Sequence, residues 1–127
     1  MPHFILEHAA NLSNELLDLD NLFENLVEEA VATGLFPLAG IRCRAHCCEH
    51  FRIADGTKSF SFVHLNVRIG AGRSEAQKEH AAKKLFNVLK LHLAEIYEQQ
   101  GLAISFELTE LPTHKFNHNN LREYIAS

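Results

Sequence analysis

The stretch FVHLNVRIGAGRSEAQ, residues 62–77, is the most informative part of the sequence about the fold, because it joins a strand pattern to the start of a helix through a short glycine turn. Apolar and polar residues alternate over residues 60–69, which is typical of a β-strand with one buried face. Ser74 and Gln77 then have the spacing of a capping box, which predicts that a helix begins here. Its apolar stripe recurs at three- and four-residue steps and consists of Ala82, Leu85, Phe86, Leu89, Leu93, Ile96 and Tyr97. A further strand is predicted over residues 102–108.

The first half of the chain has the same order of elements. Residues 2–9 alternate and predict a strand that starts almost at the terminus. An amphipathic helix follows, with Asn14 or Asp18 as its cap and Gly34 at its end. Its stripe consists of Leu16, Leu19, Leu22, Phe23, Leu26, Val27, Ala30 and Val31. Residues 41–51 alternate again and predict a second strand.

The connection between the two halves contains Asp55-Gly56, a hairpin signal, which predicts a turn between the second and third strands. The order is therefore strand, helix, strand, strand, helix, strand, a tandem repeat with halves at residues 2–50 and 60–110. In a βαβ unit the two strands run parallel with a right-handed crossover. We predict a single α/β (α+β) domain over residues 1–127, in which two helices cover one face of a four-stranded mixed sheet.

The composition limits the classes of protein that this chain can represent. Of its 127 residues, 46% are hydrophobic and 22% are charged, which excludes a disordered or fibrous chain. The formal charge is −4, from Lys+Arg 12 and Asp+Glu 16, and no basic run is present to neutralise a series of phosphates. We expect no nucleic-acid partner. No apolar stretch is long enough to cross a membrane and the first residues do not resemble a signal peptide, so we expect a cytoplasmic protein.

Two helices on one face leave the other face of the predicted sheet uncovered. Strand residues on that face include apolar ones, and the sequence offers no further long helix to cover them. Another subunit is the natural cover. We therefore predict an oligomer.

Three cysteines, Cys43, Cys47 and Cys48, lie close together in the second strand. Their odd number and close spacing do not suit a disulfide framework, so reduced thiols are expected. With His46 and His50 they suggest a zinc site, but strand alternation divides the set between two faces and no second Cys/His pair follows at ligand spacing. We expect no metal, and we interpret Cys43 and Cys47 as buried thiols that act as small apolar residues.

Pro2 is the first candidate for chemistry. Methionine aminopeptidases generally remove Met1 when proline follows it, and the new terminus is then a secondary amine, which is a competent base. Many chains begin with Met-Pro for no catalytic reason, so the dipeptide alone is weak evidence. Here, however, Pro2 opens a strand, and a sheet holds such an amine in place where an ordinary terminus frays.

Arginines offer two places for an anionic group. Arg73 lies in a glycine turn at a helix start, where free backbone amides and the helix dipole also favour negative charge. The alternative is a tight connection that leaves Arg73 in solvent.

Strand alternation places Arg42, Arg44 and His46 on one face of the second strand. Two arginines on one strand face can attract a carboxylate. The alternatives are that this face is simply exposed and polar, or that it forms a salt bridge at an interface.

Several motifs together resemble a known family. They are PHFI at residues 2–5, GLFPLAGIR at 34–42, ADG at 54–56, GAGRS at 70–74 and NHNN at 117–120. In this order they resemble the 5-carboxymethyl-2-hydroxymuconate isomerases of the tautomerase superfamily, over nearly the whole chain. The resemblance implies a homotrimer of βαβ-repeat subunits in which Pro2 is the catalytic base and Arg42 and Arg73 bind the substrate. Cys47 and Cys48 depart from the family pattern, where a bulkier residue is expected.

The resemblance also implies the reaction. A proton moves from the enol oxygen of a conjugated dienol di- or tricarboxylate to a distant carbon, which gives the unsaturated 2-oxo acid without any cofactor. Pro2 must be neutral near pH 7 to take that proton, and nearby cations and an apolar wall both disfavour its charged form. The alternative is a non-catalytic module that binds a small ligand or a protein, since βαβ repeats also occur in such domains.

Overall fold

A computed structural model describes residues 1–125 of the chain. The strands are β1 (His3–Ala9), β2 (Arg42–Cys48), β3 (Ser61–Ile69) and β4 (Leu102–Glu110). The α-helices are α1 (Asn14–Leu17), α2 (Leu19–Ala32), α3 (Glu75–His92) and α4 (Ala94–Gln99), and two short 3-10 helices cover Leu38–Gly40 and Leu121–Glu123. The sheet order is β2-β1-β3-β4, with β1 and β3 antiparallel and both outer pairs parallel. The predicted tandem of βαβ units on a four-stranded mixed sheet is confirmed.

The predicted hairpin between the second and third strands is wrong. β2 and β3 lie on opposite sides of β1 and do not pair with each other. Residues 49–60 therefore cross from one side of β1 to the other. Ala54 and Gly56, with φ of 54° and 71°, form a turn within that crossing, and Asp55 accepts hydrogen bonds from the amide and hydroxyl of Thr57. The Asp-Gly signal locates a turn correctly, but a turn signal does not determine which strands pair.

The first predicted helix is divided in two. The Ser13 hydroxyl caps α1 by accepting a hydrogen bond from the Leu16 amide at 3.2 Å. Of the two predicted caps, Asp18 occupies the N-cap position of α2, although its side chain makes no capping hydrogen bond there. Asp18 has φ of 45° and ψ of 59°, and this left-handed residue separates α1 from α2. The break shifts the apolar stripe, so Leu17 is buried while Leu16 is 54% exposed. As predicted, a glycine follows the end of α2, and Gly34 has a φ of 76°.

The second helix begins where the sequence predicts. Ser74 accepts a hydrogen bond from the Gln77 amide at 3.1 Å, and the Gln77 side chain accepts one from the Ser74 amide at 2.9 Å. Leu93, with φ of −96° and ψ of 6°, interrupts the helix between α3 and α4. The buried residues of this face are Ala81, Leu85, Leu89, Leu93 and Ile96. Tyr97, which the stripe includes, is 62% exposed.

The helices cover one face of the sheet. The largest buried strand residues on that face are Phe4, Leu6, Val63, Leu65, Val67 and Ile69, which form one core with α2 and α3. The strand register places His3, Ile5, Asn66 and Arg68 on the opposite face. That open face is mostly polar, and the apolar residues that the sequence predicts on it include Ile5 and Phe62. Within residues 1–125 no helix is long and apolar enough to span a membrane.

The second strand has the two faces that alternation predicts. Arg42, Arg44 and His46 pair in register with open-face residues of β1, whereas Cys43 and Cys47 pair with residues of the helix face. All three cysteines are free thiols. Cys43 packs against the core, and burial raises its pKa to about 11. Cys47 is exposed, contrary to the prediction, because it lies near the end of an edge strand that has only one neighbour.

Candidate active site

The amino terminus is held at the end of β1. Pro2 is buried, and its carbonyl oxygen accepts a hydrogen bond from the Arg42 amide at 3.2 Å. Gly40 packs against the same residues: a Cβ atom there would lie 3.0 Å from Met1 Sδ and 3.4 Å from Pro2 Cδ. With Met1 in place, the Pro2 nitrogen is an amide nitrogen. The free amine of Met1 therefore stands in, one residue away, for the amine that removal of Met1 would create on Pro2.

Positive charge surrounds this amine. Partial burial, followed by the charges of Arg73, Arg42 and Lys115, lowers the pKa of the Met1 amino group from its ordinary value of 8.0. Both effects disfavour an ammonium ion, because burial removes its hydration and like charges repel it. The two arginines proposed from the sequence are thus brought to the terminus that carries Pro2. Lys115 is a third cation that the sequence analysis missed.

Arg73 is partly buried and firmly held. Its Nε and Nη2 donate to the Leu35 carbonyl oxygen at 3.2 and 2.6 Å, and its Nη1 donates to the Gly70 carbonyl oxygen at 3.0 Å. The guanidinium carbon also lies 5.0 Å from the centre of the Phe36 ring. Arg73 is therefore not the solvent-exposed residue of the alternative interpretation. Its contacts join the glycine turn before α3 to the loop after α2.

Arg42 is partly buried on the open face of the sheet, beside the terminus. Its backbone amide binds the Pro2 carbonyl oxygen, but its guanidinium has no hydrogen-bond or ion-pair partner among residues 1–125. A guanidinium presents five N–H donors in a fork that suits a carboxylate. The whole fork of Arg42 is thus free to bind an anion.

His3 and Arg44 contact each other on the open face of the sheet, beside Arg42. The Nη1 of Arg44 lies 3.2 Å from the His3 Nδ1, and because a guanidinium only donates, the histidine nitrogen accepts. Burial, followed by the charges of Arg44, Arg42 and Arg68, lowers the pKa of His3 from its ordinary value of 6.5. Arg44 is therefore engaged with His3, and His46 is exposed further along the strand.

The carboxyl-terminal segment, residues 111–123, lies beside the amino terminus. The Asn119 side chain donates to the Ala39 carbonyl oxygen at 3.2 Å. A cavity of about 350 Å³ lies beside Met1, and its lining comprises Met1, Pro37, Ala39, Gly40, Asn119, Asn120, Arg122 and Glu123. The segment lacks hydrophobic periodicity, so its position is not predictable from the sequence pattern. The only sequence signal within it is the NHNN motif, which belongs to the family resemblance.

This arrangement suits proton transfer on an anionic substrate. A lowered pKa increases the neutral fraction of a terminal amine, which is the form that acts as a general base, and the nearby cations can bind carboxylates and stabilise a developing oxyanion. Within the described part of the chain, no three His, Cys, Asp or Glu side chains converge as a metal-binding group.

The tandem βαβ sheet has the fold of the tautomerase superfamily. Over 89% of this chain and 91% of the other, it superposes on a fused 4-OT described as a symmetric trimer, with a TM-score of 0.63 and 16% identity, so the likeness is one of fold. Nearer relatives define the family within that class. The profile of the 5-carboxymethyl-2-hydroxymuconate isomerases matches residues 2–125.

Two individual relatives agree with that profile. The 5-carboxymethyl-2-hydroxymuconate Delta-isomerase of Escherichia coli is 44% identical over 122 residues, which are 95% of this chain and 96% of that one. A crystal structure of a 5-carboxymethyl-2-hydroxymuconate isomerase from Deinococcus radiodurans R1 has a TM-score of 0.91 and 34% identity, over 99% of this chain and 95% of that one. The chain belongs to the 5-carboxymethyl-2-hydroxymuconate isomerase family and is an enzyme of the isomerase class. The resemblance inferred from the sequence motifs is confirmed, and none of these comparisons supports a non-catalytic module.

Proposed function

We propose that this isomerase converts 5-carboxymethyl-2-hydroxymuconate, or a closely similar conjugated dienol carboxylate, into its 2-oxo isomer, with Pro2 as the general base after removal of Met1. The proposal rests on the surroundings of the amino terminus, where partial burial and the charges of three cations lower the pKa of the Met1 amino group that precedes Pro2. The name of the Escherichia coli relative supports the choice of substrate.

In the proposed reaction the neutral nitrogen of Pro2 accepts the enol proton. The O–H bond breaks, the 2-oxo C=O bond forms, and the electrons of the conjugated system shift toward its far end. The same nitrogen then delivers its proton to the distant carbon, where a C–H bond forms. Every proton and electron stays within the substrate and the amine, so the reaction needs no cofactor.

Arg42 and Arg73 take different parts in this proposal. Arg42, whose fork is free, binds a substrate carboxylate directly, at roughly 1.5–3 kcal/mol for a hydrogen bond to a charged group. Arg73 uses three of its five N–H donors on protein carbonyl oxygens. It therefore offers the substrate two donors and its charge, while it holds the glycine turn in place.

We also propose a homotrimer in the cytoplasm. Within residues 1–125 the outer edges of β2 and β4 are unpaired, and such edges invite a neighbouring chain. A trimeric assembly of the same fold is described for the fused 4-OT. Three free thiols suit a reducing compartment.

The test combines intact-mass measurement with an ultraviolet assay on 5-carboxymethyl-2-hydroxymuconate. Light scattering on the same samples gives the number of subunits. We expect chains without Met1 to be trimeric and to remove the dienol absorbance at a rate proportional to the protein concentration. Folded protein that lacks Met1 and leaves both this dienol and 2-hydroxymuconate unchanged would contradict the proposed activity.

A further inference from the structure

Lys115 lies in the carboxyl-terminal segment, between two points at which that segment is attached to the site. On one side, the Leu111 amide donates to the Ile69 carbonyl oxygen at 2.7 Å, at the start of the glycine turn that carries Arg73. On the other side, Asn119 binds Ala39, next to the glycine that packs on Met1. The segment thus bridges the two loops that surround the terminus.

The Lys115 side chain points back to the site. Its Cε lies 3.9 Å from the position that a Cβ atom would take at Gly70, the residue whose carbonyl oxygen binds Arg73. The ammonium group has no ion-pair partner among residues 1–125. Its charge also acts on the terminal amine together with those of Arg42 and Arg73.

Three cations near one amine create a local positive potential, which favours a bound polyanion. A dienol of the proposed kind bears three carboxylates, two from its muconate chain and one from its carboxymethyl branch. The number of charges on the substrate therefore equals the number of cations that surround the amine.

We propose that Lys115 is a substrate-binding residue that recognises one carboxylate of the tricarboxylate dienol, in addition to the carboxylates that Arg42 and Arg73 bind. This inference rests on the proposed function and adds to it a source of substrate selectivity. 2-Hydroxymuconate lacks the carboxymethyl branch and has two carboxylates. Lys115 then favours the branched substrate over the unbranched one.

The experiment compares Lys115→Gln with the matched control Lys84→Gln, which removes the same charge from an exposed position on α3. Protein without Met1 is assayed on both dienols at a pH where kcat/KM has reached its upper plateau, so that a changed amine pKa does not affect the comparison. For Lys115→Gln we expect a loss of about tenfold or more on the tricarboxylate, carried mainly by KM, and less than about threefold on the dicarboxylate. An equal loss on both substrates, or none, overturns the proposal.

A binding measurement separates this inference from the proposed activity. Titration calorimetry uses propane-1,2,3-tricarboxylate and pentanedioate on the wild-type protein and on Lys115→Gln. We expect the wild type to bind the tricarboxylate more tightly, and the variant to lose that preference. If the wild type converts neither dienol, the proposed function fails, and Lys115 is then judged by this titration alone. Equal preference in both proteins overturns the role of Lys115.

Discussion

The guanidinium of Arg73 donates to the Leu35 carbonyl oxygen through both Nε, at 3.2 Å, and Nη2, at 2.6 Å. The contact joins two loops that are distant in sequence, one after α2 and one before α3. Arg73, which is proposed to bind substrate, therefore also stabilises the two loops that lie beside the site.

Replacing Arg73 with alanine should reduce both stability and activity. Hydrogen bonds from a charged donor contribute about 1.5–3 kcal/mol each in favourable cases, so we expect the free energy of unfolding to fall by roughly 1–3 kcal/mol. Urea unfolding and kcat/KM per folded subunit measure the two effects. Arg73→Lys, which keeps the charge but not the fork, should recover part of the activity and little of the stability. An unchanged unfolding curve for the alanine variant would show that the contact with Leu35 does not stabilise the fold.

Arg42→Ala should behave differently, because the Arg42 guanidinium has no partner within the described residues. We expect kcat/KM to fall by about 10- to 100-fold, corresponding to one charge-assisted contact with substrate. The free energy of unfolding should change by no more than about 0.5 kcal/mol. Arg44→Ala, from the same face of β2, is the matched control and should retain most of the activity. A stable Arg42→Ala variant with wild-type kcat/KM would remove Arg42 from the site.

Activity should require a free Pro2 nitrogen and should rise with pH. The reacting form is the neutral amine, and we expect the burial and the cations that lower the pKa of the Met1 amino group to lower the pKa of a terminal Pro2 amine as well. Below that lowered pKa, kcat/KM should fall about tenfold per pH unit, and above it the profile should be flat. Pro2→Ala leaves a primary amine with freer geometry and should lose rate mainly through kcat.

Two results bear directly on Pro2. Protein that retains Met1 should be folded and nearly inactive, since an amide nitrogen has no basic lone pair. Full activity in a sample whose mass shows Met1 on every chain would exclude Pro2 as the base.

His3 should make the protein less stable in mild acid. Its folded pKa lies below the unfolded value of 6.5, so the unfolded chain binds more protons between those two values. The stabilisation due to neutral His3 is complete above pH 6.5 and is lost as the pH falls toward the folded pKa. Urea unfolding from pH 7.5 to 5.5 should show a smaller decline in stability for His3→Gln than for the wild type. His46→Gln, exposed on the same sheet face, is the control, and an identical decline in both variants would contradict the role of His3.

Gly101→Ala should destabilise the fold. A Cβ atom there would collide with the Phe60 ring, meeting its Cδ1 and lying 2.9 Å from its Cε1. Overpacking of this kind costs about 1–3 kcal/mol. In the background Phe60→Ala the same substitution should cost much less, and a double-mutant cycle on urea unfolding measures the difference. An equal cost in both backgrounds would show that the ring is not the cause.

The predictions that succeeded depended on local patterns. The capping box of Ser74 and Gln77 involves backbone and side-chain atoms within one turn of helix, so the printed sequence contains all of its partners. The two faces of β2, with Arg42 on one side and Cys43 on the other, follow from the alternation of side chains along an extended chain. The tandem order of strands and helices follows from the same periodicities.

The features that the sequence left open depend on contacts between distant residues. The Asp55-Gly56 turn carries no information about strand pairing. Each βαβ crossover brings its own two strands together, and the separate pairing of β1 with β3 between the two halves places β1 between β2 and β3. Lys115 reaches the Gly70 turn only because residues 111–119 are attached at both ends by backbone and side-chain hydrogen bonds. The sequence was sufficient for the periodic elements, for the two faces of each strand and, through the family motifs, for Arg42 and Arg73 as residues of the site. The presence of Lys115 beside them became visible only in the tertiary structure, because that grouping requires loop closure over long stretches of chain, and no local pattern specifies its outcome.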